Sequence, residues 1–146
     1  MERLCRDLGI AEVADLGSPL PGMPAILGQT RVESKGVLSS EEILSLLSDS
    51  VAGFISFPLP EYFAKSSVFA AYCASGLLTA VGPTAERTVD GLVPGRHYWA
   101  YDRPHPKLDW PCALMIAENA RNWYQDHCLA RQAEKIHAMM ENGVPV

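Results

Sequence analysis

The residues best suited to chemistry are Glu61, Lys65, Ser66 and Ser67, gathered in the stretch PEYFAKSS that begins at Pro60. Lys65-Ser66-Ser67 opens a run of small and apolar residues, Val68 to Ala74, that reads as a helix interior. The first N–H groups of a helix have no intrahelical partner and carry the positive end of its dipole. A helix start is therefore a natural seat for an anion. Ser66 and Ser67 would add hydroxyl donors and Lys65 a mobile positive charge, together suited to neutralising charge that develops on a leaving group. Glu61, in the preceding loop, would accept hydrogen bonds from ligand hydroxyls. A plainer alternative stays open, in which Ser66 is only an N-cap and Lys65 a solvated side chain.

Other chemistries have less to stand on. The four histidines, His97, His105, His127 and His137, include no i, i+4 pair of the kind that grips a metal ion from one helix face. Four cysteines, Cys5, Cys73, Cys112 and Cys128, are widely spaced with no C-x-x-C pair and read as free thiols. The sequence holds no Gly-x-Ser-x-Gly elbow, no P-loop and no Gly-x-Gly-x-x-Gly, and nothing positions a Ser/His/Asp triad. No cofactor and no metal ion is expected.

The elements that must position the four site residues surround them directly. Val51 to Phe57 is a short apolar run, the pattern of a strand buried on both faces. Pro58 to Phe63 is a loop. The helix that follows stops at Gly76, where a C′ residue belongs, and Leu77 to Val81 reads as a second short apolar strand. Strand, loop, helix and strand make a βαβ unit, whose parallel strands present ligands at their carboxyl ends.

Upstream, Glu2 to Leu8 reads as helix closed by Gly9, and Ile10 to Leu16 as a strand. Residues 17 to 30 hold three prolines and three glycines and read as a loop with at best a short extended piece. Arg31 to Val37 is a further strand candidate. Ser39-x-x-Glu42 is a capping box, and the apolar Ile43, Leu44, Leu46 and Leu47 behind it place a helix over Ser40 to Ser48. Downstream, Gly82 to Gly95 is rich in turns and HYWAY, His97 to Tyr101, is a brief strand. Arg103 to Pro111 reads as a surface loop. Residues 112–142 form one long helix or two abutting helices, with apolar residues at helical spacing.

At 146 residues, with 48% hydrophobic and 20% charged residues, the chain has the composition of one globular domain. A net charge of −5 argues against nucleic-acid or anionic-membrane surfaces. The start, MERLCRDLGI, lacks the apolar core of a secretory signal. The uncharged stretch from Ser66 to Ala85 divides into helix plus strand rather than spanning a membrane, so no transmembrane segment is expected. These features, with the free thiols, place the chain in the cytoplasm.

The stretch from Gly53 to Gly82 resembles the C-terminal, nucleotide-sugar donor domain of bacterial GT-B-type group 1 glycosyltransferases. The likeness rests on the buried strand, the loop acid Glu61, Lys65-Ser66 at the helix start, Phe69-Ala70-Ala71-Tyr72 within the helix, and Gly76 before the next strand. Ala117 or Ala120 with Trp123, Tyr124 and His127 resembles the closing helix of such domains, and the likeness runs from Arg3 to about Met140. It implies an α/β, Rossmann-like fold with a small, mostly parallel sheet flanked by helices, the whole of 1–146 forming a single donor-domain fragment. It further implies a nucleotide-sugar whose diphosphate sits on Lys65, Ser66 and Ser67 with Glu61 on the sugar or ribose hydroxyls. Transfer of the hexosyltransferase type would need an acceptor-domain partner, because GT-B chemistry occurs between two domains. The chain departs from the pattern at the second acid of many retaining members, with Ala71 where that Glu would align. A non-catalytic interaction or regulatory module derived from a transferase fold is the alternative. An incomplete sheet with an open edge also predicts self-association into a homo-oligomer.

Overall fold

A computed structural model describes residues 1–18, 22, 24–56, 65–82, 91–104 and 107–141. The chain is mixed α/β, with a small parallel sheet flanked by helices and a second, more exposed sheet beside it. Six strands and five helices run in the order α1 (Glu2–Leu8), β1 (Glu12–Leu16), β2 (Ile26–Leu27), β3 (Thr30–Gly36), α2 (Ser40–Ser48), β4 (Ala52–Ile55), α3 (Ser67–Ser75), β5 (Leu78–Val81), β6 (Trp99–Ala100), α4 (Trp110–His127) and α5 (Leu129–Glu141) among the described residues.

The strands divide between two three-stranded sheets. The first has the order β1-β3-β2, with β1 parallel and β2 antiparallel to β3. Its strands are mostly exposed or half-buried. Thr30 is the one buried residue in it, and its hydroxyl donates to the Ile10 carbonyl at 2.8 Å. The second sheet has the order β4-β5-β6 and is parallel throughout.

The parallel sheet is the molecule's organising layer. Its register pairs Ala52 with Leu78, Gly53 with Thr79, Phe54 with Ala80 and Ile55 with Val81, then Ala80 with Trp99 and Val81 with Ala100. Because side chains alternate along a strand, these pairs sort into two faces. Ile55, Val81 and Ala100 meet Phe69 and Cys73 of α3 and Ala120 of α4 in one buried cluster. Leu78, Ala80 and Trp99 meet Leu4 and Leu8 of α1 together with Leu108, Ala113 and Ile116 in another. Helices therefore cover both faces, and α4 contributes to each.

Local signals explain most boundaries. The capping box forms as the sequence implies: the Ser39 amide donates to Glu42 Oε2 at 2.8 Å, and the Glu42 amide donates to Ser39 Oγ at 3.3 Å. Gly76 closes α3 at φ 72°, a left-handed conformation that costs a side-chain-bearing residue about 1–2 kcal/mol. The first helix ends at Gly9 in the same way.

Three expectations change. The strand buried on both faces is β5, all four of whose residues are buried; β4 lies at the end of the described sheet, with Ala52 and Phe54 only half-buried. In HYWAY only Trp99–Ala100 joins the ladder. The last helical region begins at Trp110, because Asp109 Oδ1 accepts from the Cys112 amide at 2.9 Å and Pro111 sits in a first turn that tolerates it. Of the two arrangements open for this region, the two abutting helices form, separated at the extended residue Cys128.

Candidate functional site

The carboxyl ends of β4, β5 and β6 are Ile55, Val81 and Ala100, and α3 starts from the stretch that follows β4. Glu61 lies outside the described residues. Lys65 and Ser67 are exposed and Ser66 is half-buried, so the structure brings these three together at the start of α3. The helix begins at Ser67 rather than Lys65, and Ser66 is its N-cap.

That cap has a chemical consequence. Ser66 Oγ accepts from the Phe69 amide at 3.2 Å, while the Ser66 carbonyl accepts from the Ala70 amide at 3.0 Å. The hydroxyl's acceptor role is thus spent on the helix itself, as the plainer alternative has it, while its proton can still be donated outward. Of the three helical amides that precede the first intrahelical bond, that of Phe69 meets the cap, and among the described residues no acceptor meets those of Ser67 and Val68. The first turn is anchored from beneath by Phe69, 1% exposed, whose ring tilts against Trp123 at 6.0 Å. His127 stacks on that indole, with ring centres 4.0 Å apart and planes 8° from parallel. Its Nδ1 lies 2.7 Å from the Trp123 carbonyl.

The sheet end itself is closed by a residue pair that the sequence reading passed over. Tyr101 follows β6, and its amide donates to the Val81 carbonyl at 3.0 Å. Its hydroxyl crosses the end of β5 to donate to the Gly82 carbonyl at 2.8 Å, with the Ile55 carbonyl at 3.5 Å. The ring also meets Phe54 edge-on at 6.5 Å. Gly82 is glycine because a Cβ there would lie 2.7 Å from the Tyr101 ring. In the sequence, Gly82-Pro83 signals only a turn and Tyr101 only the end of an aromatic strand.

Two other reactive groups, Cys73 and His97, are buried in the fold. Burial pushes the Cys73 thiol up to about 12, so it offers no thiolate near neutral pH. His97 is buried, its Nδ1 accepts from the Val93 amide at 3.0 Å, and burial, helped by Arg96, lowers its pKa. It is a neutral turn-lock. Thr79, fully buried beside Gly53 in the register, is the one described side chain whose buried oxygen has no hydrogen-bond partner. A crevice lined by Arg3, Asp7, Trp99, Tyr101 and Arg103 holds about 30 Å³, room for a water or two and far too little for a nucleotide. Among the described residues, no group of three or more His, Cys, Asp or Glu side chains converges as a metal site would require, and no helix is long and apolar enough to cross a membrane.

No protein-family model, no curated protein and no solved structure matches the chain.

Proposed function

We propose that the chain is a nucleotide-sugar donor-binding domain of the GT-B glycosyltransferase kind, which holds a diphosphate at the start of α3 and needs a second, acceptor-side domain for transfer. The observation that carries this reading is the position of that helix start. A capped helix follows the carboxyl end of a parallel strand, with two amides lacking acceptors among the described residues and Lys65 and Ser67 exposed around them. Amides, hydroxyl and ammonium at a helix N-terminus match a diphosphate in both charge and geometry. The parallel arrangement puts this group where α/β folds gather ligands. Ser66 serves the site by fixing the first turn, and Glu61 is the residue assigned to sugar or ribose hydroxyls.

The test is calorimetric titration of the purified chain with UDP, GDP and ADP. Binding of one nucleotide in the micromolar to sub-millimolar range is expected, with loss in Lys65→Ala/Ser67→Ala. Both side chains are exposed, so this pair tests the ligand contacts without removing the helix cap. Absence of binding by the folded chain sinks the reading.

A second reading, a non-catalytic interaction module, is favoured by α5. None of its residues is buried, yet Leu129, Ala133, Ile136 and Met140 recur at the four-three-four spacing of a helix–helix seam. The flanking positions Ala130, Gln132, His137 and Met139 bear no fixed charge, whereas Arg131, Glu134, Lys135 and Glu141 lie on the other side. A second copy of the chain is the occupant that this pattern suits, since nothing beside the stripe repels its twin. Sedimentation at tens of micromolar should show a dimer that Ile136→Glu dissociates; a monomer at that concentration removes this reading.

A further inference from the structure

The break between α4 and α5 lacks the sequence features that usually break a helix. Sharp kinks come from proline, from glycine or Gly/Ser pairs, or from a side chain or water inserted in the backbone ladder. The residues across this one, Gln125 to Gln132, read QDHCLARQ and hold no proline, glycine or serine. Nor is the new helix capped. Ser39, Ser66 and Asp109 each turn a side-chain oxygen onto an amide of the helix that they open. Cys128 has the same backbone place, at φ −65° and ψ 157° against −67° and 163° for Ser39, but no oxygen to offer. Its thiol points back and donates to the Gln125 carbonyl at 3.4 Å.

Side chains in the ladder are the cause that remains, and they come from exposed residues. The Asp126 carbonyl accepts from Gln132 Nε2 at 3.2 Å and from Lys135 Nζ at 3.3 Å. Around it the helical ladder stands open. The first bond of α5 runs from the Gln132 amide to the Cys128 carbonyl. Among the described residues, no acceptor meets the amides of Leu129, Ala130 and Arg131, and no backbone amide meets the carbonyls of Gln125, Asp126 and His127. These groups are the i, i+4 partners of an unbroken helix. The two arrangements exclude each other. In a continuous helix Lys135 would stand about 13.5 Å along the axis from Asp126, beyond the reach of its side chain. No residue of α5 is buried, so core packing does not choose between them.

We propose that the α4–α5 junction is a hinge with two states. In one, Gln132 and Lys135 clasp the Asp126 carbonyl and the helices are separate. In the other, the three open amides close on the three open carbonyls, and one helix runs from Trp110 to Glu141. The exchange changes the direction in which α5 carries Leu129, Ala133, Ile136 and Met140 away from the parallel sheet. A partner that holds this stripe in one position selects the matching state. The hinge depends on neither functional reading above: it stands whether or not the chain binds a nucleotide or pairs with a second copy.

The experiment reads the ratio of continuous to broken helix from the Cα chemical shifts and NMR relaxation dispersion of Cys128 to Arg131 in the full chain. Gln132→Ala/Lys135→Ala removes both clasps, and Cys128→Asp supplies the missing cap. The control is Arg131→Ala/Glu134→Ala, which makes a similar change in helix propensity and leaves the Asp126 carbonyl alone. The clasp-free variant should raise the ratio about five- to tenfold, the size of one hydrogen bond, and adding Cys128→Asp to it should lower the ratio again by about fivefold. The control should stay within about twofold of the wild type. Extended shifts at Cys128 without dispersion in the clasp-free variant overturn the hinge, because the break is then fixed. Helical shifts at Cys128 that the added Cys128→Asp does not move overturn it from the other side. A rise in the control equal to that of the clasp-free variant overturns the role of the clasps, and the inference with it.

Discussion

The two sheets are of equal strand number and differ sharply in burial. In the β4-β5-β6 sheet, β5 is buried along its whole length and helices pack on both faces. In the β1-β3-β2 sheet, half-buried positions mix with exposed ones, and Leu16 and Ile26 stand 39% and 65% exposed. Burial is concentrated in one sheet, and the proposed site lies at its end, because a parallel sheet clad by helices places its loop connections at a fixed end. The other sheet can vary in sequence without moving those ends. What the contrast teaches is that the buried core and the proposed site share one layer here, while the exposed sheet is peripheral to both.

Substitutions can break or sharpen this contrast. The largest effect is expected from Phe69→Ala, which empties the packing between α3, Trp123 and the parallel sheet and should cost about 3–5 kcal/mol in urea unfolding. The matching truncation in the exposed sheet, Val32→Ala at a half-buried position of β3, should cost under about 1.5 kcal/mol, and a loss equal to that of Phe69→Ala would erase the contrast. Next in size is a pH effect. Burial lowers the pKa of His97 below the ordinary value, so the folded state prefers the neutral ring. That stabilisation is present above the unfolded-state pKa and is lost as pH falls through the folded one. The urea midpoint should therefore decline from neutral pH toward mildly acidic pH in the wild type, and His97→Asn should flatten that slope. An unchanged slope would show that His97 is not the source. Smallest of all is Glu33→Gln. The Lys35 ammonium, 2.8 Å away, lowers the Glu33 pKa, yet the pair is solvent-screened, and no measurable shift of the midpoint is expected.

Much of this arrangement is legible in the sequence where a local rule acts alone. Ser39 and Glu42 announce α2 because both halves of a capping box lie within four residues. Gly76 announces the end of α3 for the same reason of short range. The start of α4 was hidden by Pro111, which reads as a loop residue until Asp109 is recognised as the cap before it. The division into two sheets could not be read, because which strands pair depends on contacts far apart in the chain. The edge position of β4 is invisible for the same reason: its apolar run is as continuous as that of β5. At the site, Lys65, Ser66 and Ser67 were legible as a helix start. The contact of Tyr101 with Gly82 was not, since it exists only once β6 has taken its parallel register beside β5.

One contact noted only as packing governs the order of assembly. Leu4 and Leu8 of α1 pack with residues from Leu78 to Ile116, and the Leu108 amide reaches Asp7 Oδ2 at 3.5 Å across 101 positions of sequence. As the chain leaves the ribosome, α1 emerges well before the strands and helix that it covers. A seven-residue helix is too short to persist alone in water. Its seating is therefore a late event, since the entropy of closing so long a loop is repaid only once the distant face is in place. Until then the Leu78, Ala80 and Trp99 face of the parallel sheet is open, and that interval is when the nascent chain has most need of a chaperone.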